Sequence, residues 1–327
     1  MNLDLVVCPG CRTLAPDGSR LDVRTLERAG ELLRCACGRC YPVIDGVPIV
    51  LADPAAFLRA EIASVVERDL DPAVMAALVE AGPDDAPYPR LLEHLSTYLD
   101  AHWGAQATPP VDDGAAALAA RIAARASAPV DLAVELGCSV GRFVSELARG
   151  ADHVVGLDLQ PAAVRRARRL LDGAPLAYAR REVGRHYLPA VITPGDRAVP
   201  AGRRTLLCAD ALDPPLIPGV YGRVLALNLL DSVHDPRQLL GVVDLLCRPG
   251  GEIILASPYA WQSGVVDDRH RLGGADPAAA LVALLRAGTG LSGRYVVEDE
   301  AELAWPLRRD ARTQVTYRTH YLRARKG

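Results

Sequence analysis

Glu135, Gly137 and Gly141, in the stretch Val134-Glu135-Leu136-Gly137-Cys138-Ser139-Val140-Gly141-Arg142, have the residue types and spacing of a nucleoside site, and Asp158 stands at the end of a second apolar run. Leu132 to Leu136 reads as a short buried strand. The two glycines let the backbone turn tightly and approach a ligand before a helix predicted over Arg142 to Ala148. In dinucleotide-binding folds this geometry holds a pyrophosphate, and an acidic residue about 20 positions on takes the ribose hydroxyls. A single loop of this kind is equally an ordinary strand-to-helix turn, so its weight depends on the elements downstream of it.

A second group of reactive residues lies at the N-terminus. Five of the eight cysteines (Cys8, Cys11, Cys35, Cys37 and Cys40) fall within the first 40 residues. The two-residue spacing of Cys8-Pro-Gly-Cys11 lets a tight turn aim both thiolates and several amides at one Zn2+, and a cytosolic cluster reads as a metal site rather than a disulfide framework. So small a module could hardly fold on an apolar core alone. Cys138, Cys208 and Cys247 read as small buried hydrophobes.

The strand-borne Glu135 in the pattern E-x-G-x-x-x-G resembles motif I of the class I S-adenosylmethionine (SAM) methyltransferases, and the order of the later elements agrees. Leu206 to Ala211 resembles the third strand, Arg223 to Asn228 the fourth, Leu239 to Leu246 the helix after it, and Pro249-Gly250-Gly251 with Glu252 to Ser257 the turn and fifth strand. The resemblance implies an α/β, Rossmann-like fold with a seven-stranded, mostly parallel sheet. It also implies SAM as cofactor, held by Glu135, Gly137, Cys138, Gly141, Asp158, Leu159, Asp210, Ala211 and Asn228, with Asp210 facing the adenine.

Leu33 to Pro48, ending in Tyr41-Pro42-Val-Ile-Asp45-Gly46-Val47-Pro48, resembles the Trm112-like zinc ribbons. Alignment on Tyr41-Pro42 pairs Cys35 and Cys37 with Cys8 and Cys11 as metal ligands, Cys37 with Cys40 being the alternative. The implied organisation is a ribbon over residues 1–52, a helical linker or lid over 53–130 and a methyltransferase domain over 131–327. In the linker, helical patterns run from Ala55 to Arg68, Ala73 to Ala81 and Leu91 to Trp103, with a break from Gly82 to Pro87. Tyr98, His102 and Trp103 can line a substrate entrance, although packing is the simpler reading of Trp103.

Asn228-Leu229-Leu230-Asp231, at the end of strand four, resembles enzymes that methylate an imidazole nitrogen: the methyltransferase domain of ovothiol-synthesis enzymes, the protein-histidine methyltransferase acting on His-x-His sequences and, more distantly, carnosine methyltransferases. The ovothiol likeness extends through Ser257-Pro-Tyr259-Ala-Trp261, Arg271-Leu-Gly-Gly274 and Trp305 to Arg312. This chain lacks the sulfoxide synthase domain of those enzymes. Under this resemblance Asp231 accepts the N–H of one imidazole nitrogen and turns the other toward the methyl group. Asn228 contacts substrate or cofactor; Tyr259 and Trp261, after strand five, can sandwich a flat ring, with core packing the alternative for Trp261; and Arg308 and Arg312 can hold a substrate carboxylate, with strand-face salt bridges the alternative. His186 and Tyr187, in a long 171–204 connection, are further pocket candidates. Helix capping is the plain alternative for Asp231. A tRNA, rRNA or translation-factor methyltransferase with a built-in Trm112-like module is the competing function.

Composition bounds these readings. The 327 residues are 50% hydrophobic and 24% charged, and the formal net charge of −3 supplies no bulk attraction to nucleic acid. Arg165, Arg166, Arg168 and Arg169 read as the solvated face of a helix, and Lys326 is the only lysine. No apolar run reaches the roughly 18 residues of a membrane span, and no basic region precedes an apolar stretch at the start, so the expected setting is cytoplasmic. The expected partner is a small imidazole-containing molecule rather than nucleic acid or membrane, with protein docking through the ribbon a further option.

Overall fold

A computed structural model describes residues 1–14, 21–83, 87–124, 128–262 and 264–327; residues 84–86 of the expected break lie outside the described residues. The central sheet contains β1 (Val130–Leu136), β2 (Ala151–Asp158), β3 (Arg204–Cys208), β4 (Tyr221–Leu227), β5 (Cys247–Ser257), β6 (Tyr295–Arg308) and β7 (Gln314–Lys326). Its spatial order is β3-β2-β1-β4-β5-β7-β6. Neighbours among β1 to β5 pair in parallel, and β7 runs antiparallel to both β5 and β6. This is the Rossmann-like, mostly parallel seven-stranded fold of class I methyltransferases. The helices are α1 (Pro54–Val66), α2 (Pro72–Ala81), α3 (Pro87–Trp103), α4 (Ala116–Ala124), α5 (Arg142–Leu147), α6 (Pro161–Leu171), α7 (Pro236–Leu246) and α8 (Pro277–Ala287).

Alternation along the strands divides the core between two faces. Val134, Val155, Val224 and Ile253 join one cluster with α7, α8 and N-terminal residues such as Leu33 and Tyr41. Their strand neighbours Ala133, Val154, Leu225 and Ile254 join the other with Leu118, Phe143 and Val164 of α4, α5 and α6. Because ligands in such sheets bind outside the carboxyl ends of the strands where the winding reverses, the β1/β4 junction is the place for a site.

The cysteine module folds against the free edge of this sheet. Its four-stranded part comprises Glu27–Ala29, Leu32–Arg34, Cys40–Ile44 and Val47–Pro48. Beyond it, Ile49 forms a parallel bridge with Cys208, and the Val50 N–H donates to the Cys208 carbonyl at 2.9 Å. On the other side, Val7 N–H donates to Pro215 O at 2.9 Å, and Arg12 Nη1 donates to Pro214 O at 2.7 Å. Residues 208–217 are thus gripped from two sides, and part of the outward-facing edge of β3 is covered.

The arginine run on α6 corrects the solvated-face expectation in part, Arg169 being exposed as expected. Arg166 is buried and pairs with Glu67 and with Asp69 at 2.8 Å; Arg165 donates to Glu67 O, and Arg168 donates to Asp45 O. The run ties the linker and the cysteine module to the sheet. The long 171–204 connection contains a hairpin, Leu176–Val183 with His186–Ile192, whose second strand also pairs with Ala107–Thr108. Helix α4 turns Leu118, Ala119 and Ile122 toward the sheet at helical spacing, and its alanines favour helix by propensity.

Lys326 is buried, and its ammonium donates to Asp244 O at 2.6 Å and Cys247 O at 3.0 Å while lying 3.0 Å from Asp244 Oδ1. Lys326→Met is expected to destabilise the fold by about 3 kcal/mol, because one partner of a buried pair is removed. A reduced midpoint in urea unfolding checks this; an unchanged midpoint would show that the pair contributes nothing net.

Candidate active site

The loop after β1 is built on two left-handed glycines, Gly137 at φ 75° and Gly141 at φ 81°. A Cβ on Gly137 would lie 3.0 Å from Leu229, and one on Gly141 would lie 2.9 Å from Ala167, so both turns depend on glycine. Trp103 is fully buried and its indole N–H donates to Val140 O at 3.0 Å. It packs beneath the loop, which accords with the packing reading. Asp158 accepts from the N–H groups of Ser139 at 2.8 Å and Gln160 at 2.9 Å, joining the ends of β1 and β2. Asp210 caps its own turn by accepting from Leu212 N–H at 2.8 Å. Cys138 is buried, and Leu159 is exposed.

Glu135 is 2% exposed. Burial, with Asp158 adding to it, pushes its carboxyl pKa well up, while a hydrogen bond from Val144 N–H opposes the shift. That bond caps α5. The other oxygen, Oε2, has no partner among the described residues, and neither does the buried Oδ1 of Asn228 at the end of β4. Two orphaned acceptors at the β1/β4 junction are costly to bury empty and suit a donor-rich cationic group such as a ligand ammonium.

Asp231 is 3% exposed and does not cap a helix. The cap of α7 is Asp235, which accepts from Arg237 N–H at 2.9 Å and Gln238 N–H at 3.1 Å. Asp231 instead accepts from Ser257 Oγ at 3.2 Å and Ala260 N–H at 2.9 Å, and burial raises its pKa. It therefore holds the loop after β5 against the loop after β4. Ser139, Asn228, Tyr259 and Trp261 all have positive φ, between 38° and 51°. Non-glycine residues in this region cost of order 1–3 kcal/mol each and gather where surrounding structure over-determines them. The strained positions stand at the carboxyl ends of β1, β4 and β5.

On α3, burial raises the phenol pKa of Tyr98, and Tyr317, Asp158 and Asp231 add to the shift. His94, Tyr98 and His102 form a ring ladder along α3, with centroids 4.5 and 6.3 Å apart. His102 is fully buried, and desolvation lowers its pKa to about 3, so it packs as a neutral ring against Trp305 at 5.6 Å.

Other sequence candidates lie elsewhere. Tyr187 packs with Met75, Val79, Leu92 and Ala179 in a separate small core, and His186 is exposed at the start of the second hairpin strand. The periodicity of that hairpin alternates the two side chains between faces, so they do not share one pocket wall. Arg308 is committed to Asp100 at 3.3 Å, Arg181 O at 2.9 Å and Glu182 at 3.4 Å, and Arg312 is exposed on the β6–β7 turn. Neither joins Asp231. Sequence reasoning missed His320 and Glu300, which contact the site from β7 and β6; nothing in the sequence signals that pairing across the hairpin.

At the opposite edge, the sulfurs of Cys8, Cys11, Cys35 and Cys37 all lie within 4.8 Å of one another. Cys40 is turned away, its sulfur 3.8 Å from Gly38 O. Hydrogen bonding, led by the Arg39 backbone N–H, holds the Cys37 thiol down at about 6. The arrangement is consistent with a small zinc-binding module.

Residues 134–255 match a family model described as "Methyltransferase domain". The chain is similar to phosphoethanolamine N-methyltransferase 1 of Haemonchus contortus, in complex with phosphoethanolamine and S-adenosylhomocysteine, at 14% identity and TM-score 0.46, covering 79% of this chain and 50% of that one. It is similar to N-methyltransferase 2 of the same organism at 16% identity and TM-score 0.32, covering 43% and 27%, so the chain spans half or less of both relatives. A third likeness is to a chain of the complex between the Haloferax volcanii Trm112 methyltransferase activator and a candidate methyltransferase, at 17% identity, TM-score 0.45 and coverage of 72% and 95%. No curated protein matches the sequence. Residues 134–255, matched to that family model, thus form a methyltransferase domain on the Rossmann-like seven-stranded sheet, with its glycine loop at the β1/β4 junction.

Proposed function

We propose that the domain methylates an imidazole nitrogen of histidine or a histidine-derived small molecule. The observation that carries this reading is Asp231, a buried carboxylate with two anchored oxygens beside the Tyr259 and Trp261 loop. Each anchored oxygen retains a lone pair. One accepts the N–H of a neutral imidazole, fixes the tautomer and presents the other nitrogen's lone pair for attack. As the N–C bond forms and the methyl C–S bond breaks, leaving a neutral thioether, the ring becomes an imidazolium whose positive charge the carboxylate stabilises. Little acid or base strength is required, so positioning supplies most of the acceleration.

SAM, when bound, supplies the electrophilic methyl group on a sulfonium. The residues fit it: Glu135 and Asn228 offer their unpartnered oxygens to the ammonium, Gly137, Cys138 and Gly141 form the close backbone approach, Asp158 takes the ribose hydroxyls, and Leu159, Asp210 and Ala211 border the adenine. We assign a structural Zn2+ to Cys8, Cys11, Cys35 and Cys37 in a Trm112-like ribbon. Such a ribbon leaves protein docking through its outer surface open.

Transfer of labelled methyl from SAM to histidine, thiohistidines, histidine dipeptides and total cellular RNA tests the reading. Label on an imidazole is expected. Label confined to RNA would overturn the assignment of Asp231 and favour the RNA enzyme.

A further inference from the structure

Tyr259 is held from behind by two residues that the proposed methyl transfer does not use. Its hydroxyl lies 2.8 Å from His320 Nδ1, and His320 Nε2 lies 3.0 Å from Glu300 Oε1. His320 is the register partner of Ser257 across the β5–β7 pairing, so the chain begins beside the Ser257 hydroxyl that anchors Asp231. The His320 side chain is 4% exposed and that of Glu300 46%, so the chain runs from the site to the solvent edge of the sheet. Burial pushes the Tyr259 phenol far up, with Glu302, Glu300, Asp231 and Asp276 adding to the effect. A phenol donating to Nδ1, with Nε2–H donating to the Glu300 carboxylate, is the arrangement that satisfies all three groups around one ring.

This support coincides with backbone strain. Tyr259 and Trp261 both have positive φ, at 51° and 38°, and their rings lie 5.7 Å apart at 41°. The His320 ring lies 5.9 Å from Tyr259 at 29° and limits its rotation.

We propose that His320, held by Glu300, is a positioning residue that fixes the Tyr259 ring as a wall of the acceptor site, and that Tyr259 and Trp261 together select a planar nitrogen heterocycle. The inference rests on the imidazole reading and extends it. A fixed aromatic face attracts the imidazolium formed on transfer more than the neutral ring, so the support favours the reaction and not binding alone.

Steady-state kinetics with L-histidine, or whichever imidazole acceptor the labelled panel selects, test this in His320→Ala, Tyr259→Phe, the double variant and His320→Gln. SAM affinity is measured in parallel. His320→Ala is expected to lower kcat/KM for the acceptor about tenfold, as loss of a cation–π contact of about 1.4 kcal/mol would, with SAM Kd unchanged. His320→Gln, which retains an acceptor and a donor, is expected to recover most of that loss. In the Tyr259→Phe background, His320→Ala is expected to add little, because both changes break one unit. An imidazole acceptor methylated equally well by His320→Ala, or fully additive losses, would overturn the inference while leaving the function intact. Absence of label on every imidazole would overturn both.

Discussion

Asp231→Ala is expected to lower kcat/KM for methyl transfer to an imidazole by about 10²–10⁴, the range for losing one positioned acid–base or electrostatic group. SAM affinity should remain within about threefold, since the orphaned oxygens of Glu135 and Asn228 are untouched. Asp231→Asn separates loop anchoring from catalysis. Its carbonyl can accept from Ala260 N–H and its amide can reach Ser257 Oγ, so the loop stays closed while the charge is lost. Turnover of Asp231→Asn close to wild type would remove the carboxylate from the mechanism.

The same variant carries a stability signature. Burial raises the folded pKa of Asp231 above its unfolded value, so the native state holds this proton more tightly. That contribution is full below about pH 4, the unfolded carboxylate value, and is lost as pH rises toward the folded one. Asp231→Asn should therefore unfold at higher temperature than wild type at neutral pH, with the gap closing in acid. An equal melting temperature at both pH values would show that burial of the charge is fully offset by Ser257 and Ala260.

Metal removal is the second large effect. One zinc per chain is expected by elemental analysis. Chelation, or Cys8→Ser with Cys11→Ser, should lower the melting temperature by about 10 °C or more, because structural zinc contributes folding energy directly. SAM affinity should weaken as well. Asp210 lies within the 208–217 segment, and the cysteine module grips that segment through Val50, Val7 and Arg12. A chain free of zinc with a melting temperature unaffected by both cysteine changes would identify the cluster as four packed thiols.

The sheet was legible because buried parallel strands are continuous apolar runs bounded by glycine and acidic residues, as at Leu132 to Gly137 and Val154 to Asp158. Cys8 and Cys11 were legible from their two-residue spacing, whereas Cys35 and Cys37 followed from the likeness to Trm112-like ribbons, which left Cys40 as an alternative. Asp231 stood out by its place after β4, but its actual contacts depend on Ser257 and Ala260, which are distant in sequence. Arg308 illustrates the limit: its partner, Asp100, lies on α3, and the helix-to-strand packing that joins them leaves no periodic signal. His320 and Glu300 are hidden for the same reason, being neighbours only through the register of β6 and β7.

The burial of Lys326 has a chemical consequence for the whole surface. With the only lysine enclosed by Asp244 and Cys247, the described fold offers no side-chain amine to an acylating reagent. The exposed fixed positive charge belongs to guanidinium groups, which stay protonated across the working pH range. Modification of Lys326, read apart from that of the exposed Met1 amine, therefore reports opening of the last strand, giving the molecule a built-in clock for its own unfolding.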